Sequence, residues 1–264
     1  MLRSMFSAVS GLRSHQTMMD VTGNNVANVN TAGYKAVRTT FQETLTQVVR
    51  GGGAGGADNG GVNPMQLGLG SSVAATDLIF TQGASQVTGR ATDVAIQGDG
   101  FFVVQDAGGN DFYTRAGAFG VDSAGNLVTP EGLRVVGSDG NPIVLGQGAT
   151  DIAIGPNGAI TGKINGVGQE LGQIALARFP NPGGLTRVGN GLYDAGGAAG
   201  EAIVGTPGDA NGLGGLQSGT LEMSNVDLAS EFTNLILAQR GFQANSRTIT
   251  ASDELLQELV NLKR

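Results

Sequence analysis

Apolar residues recur every three or four positions at both ends of this chain. At the start the stripe is Leu2, Met5, Val9, Leu12 and Met19, with Gln16 interrupting it. At the end it is Leu228, Phe232, Leu235, Phe242, Ile249, Leu256 and Val260, with Gln239, Ser246 and Asp253 between. Alternating steps of three and four make a narrow coiled-coil seam, so residues 2 to about 41 and 221–264 read as amphipathic helices. Such a seam needs a partner, either the other terminus or the same terminus of another copy. Asn and Thr compete with helix backbone, so residues 23–33 (GNNVANVNTAG) read as a helix end and a loop. Residues 34–49 continue as helix or as an extended arm. Near the second helix, Ser224 to Asp227 is a plausible N-cap, Asp227 and Glu231 suit the positive helix end, and Lys263 and Arg264 suit the negative one.

The middle of the chain alternates as strands do. Short apolar runs fall at residues 93–97, 101–105, 133–136, 143–145, 152–154 and 173–178. Between them stand Asp99-Gly100, Asp139-Gly140, Asn157-Gly158, Asn165-Gly166 and Asn190-Gly191, pairs that supply positive φ and close tight hairpins. The expected fold is therefore α+β. Terminal helices form a coiled-coil-like inner domain (residues 1–72 plus 219–264), and residues 73–218 form an all-β hairpin domain. Residues 51–61 (GGGAGGADNGG) read as a flexible glycine-rich linker or loop within the first part.

Composition narrows the function more than the fold. Aromatics are 5% of the 264 residues and Trp is absent, which predicts a core of Val, Ile, Leu and Ala. A net charge of −7 argues against nucleic acid, whose phosphates need clustered Lys and Arg. Residues 1–50 are net positive and residues 219–264 net negative, a complementarity that favours pairing of the two ends. No cysteine is present, so disulfides, thiolate metal sites and cysteine nucleophiles are excluded. No apolar run approaches the roughly 18 residues of a membrane span, and the opening residues break too early for a cleaved secretion signal. His15 stands on the first helix without an acid or nucleophile in relation to it, and reads as a polar helix residue. Asp93, Asp99, Asp106 and Asp111 lack the spacing of a calcium loop, and the Gly68 to Ser72 run lacks a P-loop lysine. No enzymatic activity, metal or cofactor is expected.

Several segments resemble one family. Residues 20–35 (DVTGNNVANVNTAGYK), with Ser10-Gly11-Leu12 before them, are similar to the N-terminal signature of bacterial flagellar rod and hook proteins. Residues 88–102 (TGRATDVAIQGDGFF) and 113–119 (YTRAGAF) resemble that family's central β segment. Residues 222–227 (EMSNVD) and 239–246 (QRGFQANS) resemble its C-terminal helix. The resemblance implies an axial structural protein of the flagellum that self-assembles into a hollow helical homopolymer, contacting rod, hook–filament junction and hook-cap proteins. It also implies export through the flagellar type III apparatus without signal cleavage, and termini that order only on assembly. The self-assembly residues would be Leu2, Met5, Val9, Leu12, Met19, Leu228, Phe232, Leu235, Phe242, Ile249 and Leu256, with Asn24, Asn25 and Asn28 fixing the bend after the first helix. The chain ends (MLRSMFS and ELVNLKR) and the compliant glycine run point to a compact hook protein, the distal rod protein being the alternative. An all-β adhesin or lectin-like module is a more distant alternative, disfavoured by the shortage of aromatics.

Overall fold

The computed structural model describes residues 2–56, 60–146, 148–164, 166–209 and 212–262. Residues 57–59 of the glycine-rich stretch, Asn165, Lys263, Arg264 and the Leu2 side chain, which figured in the sequence expectations, lie outside the described residues. The chain is α+β and divides into two compact units. One comprises the terminal helices and residues 37–78; the other comprises residues 28–36 and 79–226. Residues 219–226 and 28–36 thus belong with the β unit, and residues 73–78 with the helical one.

In the helical unit, α1 spans Leu2–Ala27 and α2 spans Leu228–Asn261. The expected first helix is shorter than its stripe suggested. Residues 37–43 are strand β1 (Val37–Glu43), because Val37, Thr39 and Thr40 are β-branched and find a partner in β4 (Ser71–Leu78). Between these two lie β2 (Thr46–Arg50) and β3 (Met65–Gly68), an antiparallel pair. The pairing continues toward the tip, where Gly53 and Val62 exchange backbone hydrogen bonds of 2.9 and 3.0 Å. Among the described residues, the glycine-rich stretch thus lies at the end of a β-hairpin whose two arms belong to one unit. Asp227 caps α2: its Oδ1 accepts the Ala229 N–H at 3.0 Å and its Oδ2 accepts the Ser230 hydroxyl at 3.0 Å.

The β unit is built around a nine-stranded sheet among the described residues. Strand β7 (Phe101–Gln105) runs through its centre, preceded in the chain by two short strands, β5 (Ser85–Val87) and β6 (Val94–Gln97). Strand β7 pairs with β8 (Asp111–Thr114) on one side and with Arg134–Val135 and Leu176–Arg178 on the other. Strands β5 and β6 pair outside this sheet, with Thr220–Glu222 and Gly215–Ser218. Some neighbours are consecutive hairpins, as expected, but these last pairings join segments more than 100 residues apart. Residues 143–145 form no strand; Ile143 and Leu145 are buried on either side of an exposed Val144 that makes one isolated bridge to Asn126. Asn190 and Gly191, at φ 50° and 72°, form the two-residue hairpin loop that joins Thr186–Gly189 to Leu192–Asp194.

The core is not purely aliphatic. Val94, Ile96, Val104, Leu127, Ile160, Ile174 and Leu176 supply most of it, but Phe102 and Phe119 meet edge to face within it at 5.0 Å between ring centres. A second aromatic group joins Phe101 to Phe80, Phe179 and Tyr193 at 5.4 to 5.9 Å. Phe101, Phe102, Phe119, Phe179 and Tyr193 are all buried, so these rings put large apolar area into the core.

Candidate assembly surface

The two terminal seams find each other within one chain. Gly11 of α1 lies against Asn245 of α2, His15 against Gly241, and Asn25 against Glu231, so the helices run antiparallel in constant register. What packs is not the large apolar stripe. The covered positions of α1 are Ala8, Gly11, Ser14, Thr22 and Asn25; those of α2 are Ala238 and Ser252. Small residues let two helix backbones approach closely. A methyl group built on Gly11 would stand 2.8 Å from the Asn245 amide nitrogen, and one on Gly241 would run into the His15 ring. His15 is thus a packing residue: its ring covers Gly241 and tilts against Phe41 at 5.9 Å. No salt bridge crosses between the helices among the described residues, so the opposite charges of the two ends are not used in this contact.

The large apolar residues remain partly or wholly uncovered. Val9, Leu228 and Phe232 are exposed, Phe232 by 51%. Met5, Leu12, Met19, Leu235, Phe242, Ile249 and Leu256 are half-buried. Val260 at the end of the seam is exposed too, and beyond the predicted seam so are Phe6, Ile236, Leu237, Leu255 and Leu259, and Leu45, Val48, Val49 and Met65 of the hairpin region. Scattered exposed Leu or Val residues are ordinary; two helices and a hairpin carrying them together are not. No helix among the described residues is long and apolar enough to cross a membrane.

The asparagines after α1 act in different ways. Asn25 is buried and imitates a strand partner for Val37, donating to its carbonyl at 2.8 Å and accepting its N–H at 3.0 Å. It also donates to Glu231 Oε1 at 3.1 Å, which ties the turn to α2. Asn28 accepts the Thr31 N–H at 3.1 Å and the Thr31 hydroxyl at 3.2 Å, a local turn bond. Asn24 is exposed on the last turn of α1.

Sequence reasoning missed the centre of the β unit. Glu222 is fully buried and its carboxylate accepts from Lys35 Nζ at 2.6 Å, from the Gly83 N–H at 2.9 Å and from Arg115 Nη1 at 3.3 Å. Its backbone oxygen accepts the Gly33 N–H at 2.7 Å. Lys35 Nζ also donates to the Thr81 carbonyl at 2.8 Å, and Asn225 joins Ala36 N–H to the carbonyls of Ile79 and Thr81. Arg187 donates to the Lys35 carbonyl at 2.9 Å and lies over the Tyr34 ring at 4.6 Å. Burial holds the Lys35 ammonium below its ordinary value, with Glu222 pulling the other way and the Arg115 charge adding to the lowering. Burial lowers Arg115 as well, against the same carboxylate. One carboxylate thus holds two buried cations, and its removal would leave both uncompensated.

Three separated sequence segments meet here: the stretch ending at Lys35, the one around Arg115, and the one from Glu222 to Asn225. These are the segments whose residues resemble one family, and family models match the same stretches. Residues 5–35 match the flagella basal body rod protein family, residues 95–162 the flagellar hook protein FlgE/F/G D1 domain, and residues 217–262 the flagellar basal body rod FlgEFG protein C-terminal region. The chain is 49% identical to the flagellar basal-body rod protein FlgG of Bacillus subtilis over 266 residues, covering all of both chains.

The chain belongs to the flagellar rod and hook protein family.

Its likeness to a second FlgG, from Borreliella burgdorferi, is 40% over 268 residues, again with both chains fully covered. The flagellar hook protein FlgE of the same organism is 31% identical, but over 443 aligned positions, so it carries long stretches that this family member lacks.

Proposed function

We propose that the chain is a structural subunit of the flagellar distal rod, which polymerises helically into a hollow shaft that transmits torque, and that it has no enzymatic role. The observation that carries this reading is the length match: rod relatives align end to end without large insertions, whereas the hook relative does not. The compliance of the glycine-rich segment, which favoured a hook, counts for less, because its described residues extend a hydrogen-bonded hairpin through Gly53 and Val62. In this reading the α1–α2 pair lines the tube wall. Met5, Val9, Leu12, Met19, Leu228, Phe232, Leu235, Phe242, Ile249 and Leu256 supply the contacts between copies, and Leu2 joins them. Other axial subunits flank the polymer at its ends, and the chain passes through the type III export apparatus without signal cleavage.

The helix pair supports ordering on assembly. Among its described residues the fully covered hydrophobic side chains are Ala8 and Ala238, which bury little apolar area. Such a pair contributes little stability alone and gains it when neighbours cover the exposed seam residues. Immunogold labelling of isolated basal bodies tests the assignment. Antigen along the envelope-spanning shaft is expected; antigen confined to the curved segment beyond the outer boundary would return the protein to the hook.

A further inference from the structure

Helix α2 outruns its partner. Carried to the start of α1, the antiparallel register sets Ser4 beside Ser252, which is buried, and Leu2 beside Glu254. The last two turns of α2 therefore project past α1. On them Leu255, Leu259, Val260 and Leu262 are exposed by 51 to 82%, and the acidic residues Asp253, Glu254 and Glu258 are exposed beside them. The same unit carries an open groove of about 620 Å³ between α1 and β4, lined by Phe6, Val9 and Arg13 on the helix and Thr44, Ser71 and Val73 on the strand side. Its lining is mostly apolar and its charged residue is the exposed Arg13.

We propose that the α2 overhang of one copy docks in the α1–β4 groove of a second copy. The inference rests on the polymeric reading above and names the contact that it uses. The chain's own overhang cannot fill its groove. Residues 6–17 of α1 face the part of α2 near residues 239–250, and a continuous helix holds Leu259 roughly 14–30 Å further along its axis. Apolar side chains on the overhang match the apolar lining, and Glu254 and Glu258 match Arg13. The two basic residues that end the chain, Lys263 and Arg264, lie past these carboxylates in sequence. Overhang and groove are different surfaces of one protein, so the contact is head-to-tail, the kind that generates a filament when its rotation does not close into a ring.

The natural absence of cysteine makes the contact directly testable. Full-length V9C and L259C chains are mixed, polymerised with sulfate, which strengthens apolar burial, and oxidised. A disulfide-linked V9C–L259C heterodimer is expected in clear excess over the product of L259C with V144C, an exposed site on the β unit. Polymer without that excess overturns this contact while leaving the polymeric reading intact; failure of the cysteine-free parent to polymerise overturns both. In a second arm, R13E and E258R each raise the unpolymerised fraction by about two- to fivefold, and the double exchange restores it. Loss of polymer in both single variants with no recovery in the double variant would overturn the pairing of these charges. Unfolding of the monomers should be unchanged in the charge variants, since neither Arg13 nor Glu258 has an ion-pair partner among the described residues.

Discussion

Replacing Glu222 with alanine should unfold the β unit more readily than any other single loss of charge. The carboxylate has no exposed surface and neutralises Lys35 and Arg115 at 2.6 and 3.3 Å. Breaking a buried ion pair by removing one partner costs about 3–5 kcal/mol, because the remaining charge stays in a poorly polar site. The Gly83 N–H also loses its acceptor, for about 1–3 kcal/mol more if no water replaces it. These terms overlap, so a loss of about 4–6 kcal/mol is expected, a large part of the roughly 5–15 kcal/mol that holds a domain together. Lys35→Met is the control. It leaves Arg115 and Glu222 as a balanced pair, and the Thr81 carbonyl keeps the Asn225 amide at 3.2 Å, so its cost should be about 1–3 kcal/mol. The chain provides its own probe: it has no Trp, and its three tyrosines, Tyr34, Tyr113 and Tyr193, all lie in the β unit. Urea unfolding followed by tyrosine fluorescence therefore reports this unit. A Glu222→Ala cost below about 1 kcal/mol, or a Lys35→Met cost equal to it, would refute the argument that one carboxylate compensates two cations.

Gly33→Ala should destabilise the same unit by about 2–4 kcal/mol, because a side chain at φ 70° is strained and its Cβ would stand 2.5 Å from the Ala116 nitrogen; an unchanged urea midpoint would contradict this. Burial raises the phenol pKa of both Tyr113 and Tyr193 above the ordinary 10.0. The folded chain then keeps protons that the unfolded chain has released, so each phenol contributes a loss of stability as pH rises above 10.0. Phenolate absorbance should develop late in the native protein and early in urea; identical titrations would count against it. Amides of α1 and α2 should exchange with deuterium much faster in dilute monomer than in polymer, since the pair covers little apolar area by itself; slow exchange in the monomer would mean that the helix pair is complete without neighbours.

Periodicity alone placed the two helices, because steps of three and four leave one face of a helix apolar whatever surrounds it. Local chemistry placed the Asp227 cap and the Asn190-Gly191 hairpin, whose geometry depends on a few adjacent residues. The end of α1 at Ala27 falls in the Asn- and Thr-rich stretch that reads as a helix end, but whether residues 34–49 resume as helix or run extended was not legible locally, because the partner strand β4 decides it. The interface between the helices was hidden for a related reason. Hydrophobic patterning favours Val9 and Phe232, yet close approach of the two backbones is set by Gly11 and Gly241, whose smallness matters only once the facing helix is known. The centre of the β unit lay furthest out of reach. Lys35, Arg115 and Glu222 look like surface charges in any local window, and only the meeting of segments up to 187 residues apart removes them from water and makes their pairing obligatory.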